Sequence, residues 1–279
     1  MKHTEGTLGT LNSRDGFELY TQSWLPDAEA RAAIVLIHGQ SDHSGRYRHP
    51  LNALVPQGYA VYAFDQRGHG KTGGPRGHVP NYQLLLDDVE AVVRQARQAQ
   101  PGKQIFLYGH SVGGQITLNY ALKRGDGLAG VMVTGPWLRL AFEPPGWKVS
   151  LSRTLAGLWP GLTLGNEVDP ASISHDAAEV AIYRNDPLNH GRISVQAYNE
   201  YTTAAEWALQ HATELKLPAL LMHGGADPLT SPAGTQTFYE RASATDRTLR
   251  IYEGMYHEVH NELGRDQVFK DMSEWLGDR

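Results

Sequence analysis

The residue whose setting most directly suggests chemistry is Ser111. It lies in the stretch GHSVG (109–113), which fits the pattern G-x-S-x-G, between an apolar run at 104–108 and a helix-compatible stretch at 116–124. In a sharp turn from a strand into a helix, a serine side chain is exposed at the strand end, and small neighbours make room for the strained backbone. The context therefore favours a nucleophilic serine over a glycine-rich turn that happens to contain one.

Two further groups are needed before a serine hydroxyl attacks efficiently: a base that removes its proton and a third group that orients the base. In one known chain order, the serine comes first, the acid second and the histidine last, with acid and histidine in loops after late strands. Asp227 and His257 each follow such an apolar run. We prefer them over Asp186, which lies in a segment without strand patterns, and over His260, which lies near the predicted last helix.

The carbonyl under attack also needs hydrogen-bond donors for the negative charge that develops on its oxygen. The backbone N–H after the nucleophile and one N–H from the loop after an earlier strand commonly supply them. Val112 provides the first, and Gln40, in the loop at 38–41, provides the second. The sequence thus predicts an oxyanion hole made by the backbone N–H groups of Gln40 and Val112.

Short apolar runs alternate with amphipathic stretches along most of the chain. The stretch at 82–99 has apolar residues spaced for one buried face of a helix, namely Leu85, Val89, Val92 and Val93. Runs too short for such a helix are predicted to be strands buried on both faces, and they lie at 32–37, 59–64, 104–108, 128–134, 218–222 and 248–254. Further helices are predicted near 231–243 and 262–276. This alternation predicts an α/β fold with a mostly parallel sheet and helices on both faces.

The N-terminal stretch has a different pattern. Segments 7–12 and 17–24 read as strands, and SRDG separates them. Asp15 and Gly16 tolerate the positive φ angles of a tight turn. A β-hairpin is predicted here.

The strand pattern breaks after residue 137 and resumes near 215. The intervening stretch contains several prolines and four of the six tryptophans, Trp137, Trp147, Trp159 and Trp207. We interpret 137–212 as a helical cap inserted into a core made of 1–136 and 213–279, and its apolar composition suits a cover over a binding site. Composition alone leaves open a small subdomain packed around its own core.

Composition excludes several classes of protein. The chain has 25 Lys plus Arg and 30 Asp plus Glu, for a net charge of −5. This overall charge does not attract the negatively charged backbone of nucleic acids. The chain has no cysteine, which excludes disulfides, thiolate nucleophiles and thiolate metal sites. It has no apolar run of membrane-spanning length and no secretory signal pattern, so a cytoplasmic protein is expected. The sequence gives no indication of an oligomeric state.

Two further patterns resemble binding motifs without fitting them. Residues 68–73, GHGKTG, match G-x-G-x-x-G, but the glycines and prolines at 74–80 keep the chain irregular where a dinucleotide fingerprint opens a helix at once. His257 and His260 are three residues apart, whereas the zinc-helix motif places its two histidines four apart. We therefore expect neither a cofactor nor a metal.

Six blocks together resemble one protein family. They are HGQSDHSGRY (38–47), FDQRGHGKTGG (64–74), GHSVGG (109–114), EVAIYRNDPL (179–188), HGGADPLTSP (223–232) and IYEGMYHEVHNE (251–262). These blocks are similar to those of the monoacylglycerol lipase branch of the α/β-hydrolases, which is grouped with lysophospholipase-like and serine aminopeptidase S33-like enzymes. The resemblance covers most of the chain and implies the α/β-hydrolase fold.

At matching positions, the resemblance implies the roles already assigned to Ser111, Asp227 and His257. It also implies that His110, Arg46 and Tyr183 lie near the glycerol end of a substrate. From the residues alone, structural roles stay open, because Arg46 could pair with the acidic residue of its own block and His110 could hydrogen-bond beneath the cap. Three positions depart from the family pattern, namely Asp42, Thr72 and Val112. Of these, Val112 directly follows the predicted nucleophile, so it bears most directly on which acyl chain is preferred.

The sequence as a whole predicts a serine hydrolase that cleaves carboxylic esters, above all monoacylglycerols, without a cofactor. Its partner would be a small lipid or ester, with transient contact to a membrane or micelle through the cap. The alternatives are a general carboxylesterase or lysophospholipase, acyl transfer to an alcohol other than water, and a non-catalytic ligand-binding homologue. The last is disfavoured because all three triad residues are present.

Overall fold

The computed structural model describes residues 1–5, 11–166 and 168–279. Its strands are β1 (Lys2–Glu5), β2 (Leu11–Asn12), β3 (Glu18–Leu19), β4 (Thr21–Leu25), β5 (Ala32–Ile37), β6 (Tyr59–Phe64), β7 (Gln104–His110), β8 (Gly130–Thr134), β9 (Thr163–Gly165), β10 (Arg192–Ser194), β11 (Ala219–Gly224) and β12 (Arg247–Tyr252). Its α-helices are α1 (Arg48–Leu54), α2 (Tyr82–Ala99), α3 (Val112–Arg124), α4 (Gly146–Leu158), α5 (Ala177–Asn185), α6 (Val195–His211), α7 (Pro232–Arg241) and α8 (Arg265–Gly277).

An eight-stranded sheet forms the centre, in the order β1-β4-β6-β5-β7-β8-β11-β12. The six strands from β6 to β12 pair in parallel, whereas β4 pairs antiparallel with both β6 and β1. All residues of β5 and β6 are buried, as is typical of parallel strands covered on both faces. The prediction of a mostly parallel α/β sheet is confirmed.

Helices cover both faces of this sheet. Alternate side chains of β5 enter opposite halves of the core, because successive residues of a strand point to opposite faces. Val35 packs in the half that contains Val89 of α2, whereas Leu36 packs in the half that contains Met272 of α8. Parallel strands with this covering all present their carboxyl ends at one edge, which is where ligands bind in such sheets.

Most predicted elements form close to their expected bounds, including β5, β6 and α2. The predicted strand at 17–24 is divided, because β3 pairs with β2 whereas β4 joins the central sheet. The β2–β3 pair and the φ of +81° at Gly16 fit the predicted hairpin, but residues 7–10 of its first strand lie outside the described residues. The last helix begins at Arg265 rather than near 262, after a 3₁₀ turn at Val259–Asn261.

The segment 137–212 contains α4, α5 and α6, and also the antiparallel ladder of β9 and β10. The expectation of an all-helical segment was therefore incomplete, because strands of three residues are too short to show a pattern. Side chains of α4 are all at least partly exposed, whereas α6 buries one face that includes Tyr201, Ala204 and Ala208. Within the described ranges, no helix has the length and apolarity needed to span a membrane.

Candidate active site

Ser111 occupies the sharp turn between β7 and α3. Its φ is +55° and its ψ is −119°, a conformation that a residue with a side chain rarely adopts. Its backbone N–H donates to the Thr134 carbonyl at 2.9 Å, and its carbonyl accepts from Gln115 at 3.0 Å and from Trp137 at 3.0 Å. These bonds hold the strained turn in place, as expected where strain serves a site.

The glycines around Ser111 are required by close packing. A Cβ atom on Gly109 would overlap the carbonyl oxygen of Gly113 and the Thr117 hydroxyl, and one on Gly113 would overlap the carbonyl oxygen of Ile37. The first turn of α3 is thereby pressed against β7 and the end of β5. The G-x-S-x-G spacing thus has a steric cause in this fold.

His257 and Asp227 form a buried pair, with Nδ1 of the ring 2.7 Å from Oδ2 of the carboxylate. Burial alone lowers the pKa of His257, but the charge and hydrogen bond of Asp227 outweigh it and raise that pKa above the ordinary value of 6.5. Burial alone raises the pKa of Asp227, but the histidines beside it hold that pKa well below its usual range. The carboxylate is therefore ionised and stabilises a proton on the ring.

Asp227 is held by more groups than its pairing with His257. The backbone N–H groups of Leu229 and Thr230 donate to Oδ1 at 2.8 and 3.0 Å. The Thr230 hydroxyl, at 2.8 Å, and Nε2 of His223, at 3.0 Å, reach Oδ2. His223 is fully buried and was not predicted as part of the site, although it opens the same HGGAD block four residues before Asp227.

Ser111 and His257 face the same cavity of about 610 Å³. Gly39 lies against Ser111, since a Cβ atom built on Gly39 would be 3.2 Å from Cβ of Ser111. Gln40, which follows, also lines the cavity, and Val112 begins α3. The two backbone groups predicted to bind an oxyanion therefore belong to the elements that flank Ser111.

The cavity is apolar over most of its lining, and polar side chains clustered around Arg46 form another part of it. The apolar side chains include Trp137, Leu140, Phe142, Trp147, Leu151, Leu155, Leu164, Ile173, Ile193 and Tyr198. The polar ones include Asp42, His110, Tyr183 and Glu258. Such a lining suits a molecule with one long apolar part and one polar end.

The three residues expected near the polar end occupy different positions. His110 and Tyr183 line the cavity. His110 donates from Nδ1 to the Thr134 carbonyl at 3.1 Å, and burial next to His257 and His260 holds the pKa of His110 well below its usual range. A neutral His110 therefore presents its other ring nitrogen as an acceptor.

Arg46, by contrast, directs its guanidinium group to two carboxylates of the protein. It donates to Glu258 at 2.8 and 2.9 Å and to Asp42 at 3.1 Å, with its side chain only 4% exposed. Its guanidinium carbon lies 4.6 Å from the centre of the Tyr183 ring. The pairing with the acidic residue of its own block, left open by the sequence, is formed.

The two alternative triad residues have other partners. Asp186, which directly follows α5, accepts from Nε2 of His43 at 2.9 Å. His260 is buried with its ring stacked on Tyr47, at 5.1 Å between centres. In the described part of the chain, no group of three or more His, Cys, Asp or Glu side chains could hold a metal ion.

Comparisons with known proteins find a matching family and several relatives. The family model described as "Serine aminopeptidase, S33" matches residues 28–264. An uncharacterized abhydrolase domain-containing protein of Dictyostelium discoideum is 38% identical over 275 residues, which cover 98% of this chain but only 29% of that protein. The human monoglyceride lipase is 33% identical over 273 residues, which cover 96% of this chain and 90% of that protein.

A solved structure gives the same result. The crystal structure of the Paleococcus ferrophilus monoacylglycerol lipase superposes with a TM-score of 0.86 at 34% identity, over 93% of this chain and 98% of that one. The chain therefore belongs to the serine aminopeptidase S33 family and is a monoacylglycerol lipase-like carboxylic ester hydrolase with the α/β-hydrolase fold.

Proposed function

We propose that this protein hydrolyses monoacylglycerols to a fatty acid and glycerol through an acyl-enzyme on Ser111. The observation that carries the proposal is the combination of a strained Ser111 at a cavity and, in that cavity, His257 paired with Asp227 at 2.7 Å. A serine, a histidine and a carboxylate in these roles perform acyl transfer. The relatives from Homo sapiens and Paleococcus ferrophilus, named monoglyceride lipase and monoacylglycerol lipase, support the substrate.

The reaction proceeds in two halves. Ser111 Oγ attacks the ester carbonyl while His257 takes the hydroxyl proton, and the oxyanion accepts hydrogen bonds from the N–H groups of Gln40 and Val112. His257 then gives its proton to the glycerol oxygen as the ester bond breaks. Water attacks the acyl-enzyme in the same way, and release of the fatty acid restores the serine.

The shape and lining of the cavity support a single-chain ester. Its volume of about 610 Å³ lies within the ordinary range for a site that encloses one small ligand. The acyl chain would lie along the aromatic and aliphatic lining, with the glycerol hydroxyls near His110 and Tyr183. In this proposal Arg46 is neutralised by Asp42 and Glu258 and does not contact the glycerol.

Residues 137–212 would act as the cap and as the contact with lipid. Four of the exposed large apolar side chains, Phe142, Trp147, Leu151 and Leu164, also line the cavity. The exposed apolar surface is thus continuous with the entrance that a lipid substrate would use. We propose that this surface touches a membrane or micelle transiently while the substrate enters. The cytoplasmic location stays a prediction from composition.

A substrate panel tests the proposal against its alternatives. Rates are measured for monoacylglycerols of several chain lengths, for p-nitrophenyl esters with the same acyl groups, and for lysophospholipids. We expect the highest kcat/KM for monoacylglycerols. A preference for simple esters would favour a general carboxylesterase, and a preference for lysophospholipids would favour a lysophospholipase. Formation of a new ester with an added alcohol would indicate acyl transfer.

A further inference from the structure

The side chain of Gln40 joins the loop after β5 to the segment 137–212. Its Nε2 donates to the Arg192 carbonyl at 2.9 Å, and its Oε1 accepts from the Tyr201 hydroxyl at 3.2 Å. The two partners differ in chemistry, since a carbonyl only accepts and this hydroxyl donates, so both ends of the amide are matched. Gln40, whose backbone N–H would bind the oxyanion, is therefore also held through its side chain by the segment 137–212.

The partners of Gln40 are themselves fixed to the core. Arg192 pairs with Gly165 across β10 and β9. A Cβ atom on Gly77 would overlap the Arg192 carbonyl group, and Ser194 N–H donates to the Gly77 carbonyl at 2.9 Å. The β9–β10 ladder is thus seated directly on the core loop at Gly77.

Tyr201 connects the same loop to the helix that follows the nucleophile. Its side chain is fully buried in α6, and its backbone carbonyl accepts from Nε2 of Gln115 at 2.9 Å. Gln115 lies in the first turn of α3 and donates its own N–H to the Ser111 carbonyl at 3.0 Å. Tyr201 is therefore bonded to both sides of the reaction centre.

Ser41 provides a second connection. Its Oγ accepts from Nδ2 of Asn166 at 2.9 Å, and the Asn166 N–H donates to the Gly191 carbonyl at 2.9 Å. Ser41 is buried and has a φ of +63°, a conformation that persists in a non-glycine residue only when neighbours impose it. The bond from Asn166 is one such constraint, and it comes from the end of β9.

We propose that the β9–β10 ladder and α6 hold the Gln40–Ser41 loop in the geometry that binds the oxyanion, which makes Tyr201 and Asn166 positioning residues for hydrolysis. The proposal rests on the proposed function and adds a coupling to it. Donors for an oxyanion act through fixed placement, because they cost no reorganisation when the charge forms. When the ladder is lifted from the loop, the N–H of Gln40 loses that placement, so hydrolysis is fast only with the ladder seated.

The test separates binding of the substrate from binding of the transition state. Tyr201→Phe, Asn166→Ala and Gln40→Met are compared with the wild type for kcat and KM on a p-nitrophenyl ester. For each protein, the Ki of a trifluoromethyl ketone with the same acyl chain is also measured, because this ketone forms a tetrahedral oxyanion on the serine. The corresponding secondary alcohol, which forms none, serves as the ground-state analogue.

We expect each variant to lower kcat by about 5- to 50-fold, less than the loss of a whole oxyanion donor, with KM changed less than about twofold. The Ki of the ketone should rise by the same factor by which kcat/KM falls, and the Ki of the alcohol should not change. Tyr201→Phe should add almost nothing to Gln40→Met, because the bond that it removes is already absent. Gln40 is only partly buried, so its variant also carries the test if Tyr201→Phe folds poorly.

A matched control removes an equivalent bond elsewhere. The buried Tyr252 hydroxyl donates to Asp271 of α8 at 2.8 Å, so Tyr252→Phe should keep kcat and the ketone Ki while lowering the melting temperature. Equal losses of kcat in Tyr252→Phe and Tyr201→Phe, or an unchanged ketone Ki in the loop variants, would overturn the proposal. A wild-type protein that fails to hydrolyse the ester would instead overturn the proposed function, and this coupling with it.

Discussion

Nδ1 of His257 lies 2.7 Å from Oδ2 of Asp227, although 30 residues separate them in the chain. The reason is the sheet, because β11 and β12 are parallel neighbours in which Gly224 pairs with Tyr252. Asp227 lies just after the carboxyl end of β11 and His257 just after that of β12, so the loops that carry them start side by side. The order of strands therefore produces the acid and base pair on which the proposed mechanism depends.

Replacing the acid should disable the base without unfolding the protein. Asp227→Asn keeps a carbonyl oxygen for the N–H groups of Leu229 and Thr230 but presents an amide to His257, which disfavours the tautomer needed to accept the serine proton. We expect kcat to fall by about 10³- to 10⁴-fold, as in other serine triads. Steady-state kinetics and a thermal melt check this, and a loss of less than tenfold would remove Asp227 from the mechanism.

The pH dependence of hydrolysis follows from the same pair. Burial alone lowers the pKa of His257, but Asp227 raises it above 6.5, and the base acts only when neutral. With a neutral ester, kcat/KM should therefore decline as the pH falls through a midpoint above 6.5. In Asp227→Asn the midpoint of the residual activity should move to lower pH, since the charge that favours the protonated ring is gone. A wild-type midpoint below 6.5 would contradict this account.

Replacing Arg46 should lower the stability of the protein and should not change its preference between esters. It is buried between Glu258 and Asp42, and removing one member of a buried ion pair costs about 3–5 kcal/mol. We expect Arg46→Met to lower the free energy of unfolding in urea by about that amount. The ratio of KM for a glycerol ester to KM for its methyl ester should stay constant. A selective rise for the glycerol ester at unchanged stability would instead make Arg46 a direct contact.

The packing of the serine turn predicts a large difference between two glycines. At Gly109 an added Cβ would overlap two neighbouring groups, whereas at Gly73 it would meet nothing within 4 Å. Gly109→Ala should cost about 1–3 kcal/mol through overpacking, and Gly73→Ala should stay within about 0.5 kcal/mol of the wild type. Chemical denaturation measures both. Equal stability of the two variants would mean that the turn is looser than the structure shows.

The exposed apolar side chains of the segment 137–212 predict binding to lipid vesicles. Leu158 and Trp159 are 79% and 66% exposed, and burying such side chains in lipid is worth about 1.5–3 kcal/mol each. Leu158→Ser with Trp159→Ser should weaken partitioning into zwitterionic vesicles by at least about tenfold, with little change in hydrolysis of a soluble ester. Leu263→Ser, at a 71% exposed leucine outside the segment, is the control. Equal partitioning of all three proteins would argue against a lipid contact.

The central elements were predictable because a parallel sheet covered on both faces requires uninterrupted apolar runs, and such runs stand out at β5 and β6. The sharp turn at Ser111 was predictable because its strained backbone demands glycines at fixed spacing. The ladder of β9 and β10 escaped prediction, since three-residue strands carry no periodicity. The partners of Gln40 and the pairing of Arg46 with Glu258 escaped it as well, because a side chain's choice between substrate and protein depends on contacts distant in sequence.

The most direct measurement is the rate of glycerol release from a long-chain monoacylglycerol by the wild type and by Ser111→Ala. We expect hydrolysis by the wild type and a loss of roughly 10⁴- to 10⁶-fold in kcat for the variant, with the fold intact by circular dichroism. The reason is that without Oγ no acyl-enzyme can form. Release by Ser111→Ala at near the wild-type rate, or no release by a folded wild-type protein, would contradict the proposal that Ser111 carries out monoacylglycerol hydrolysis.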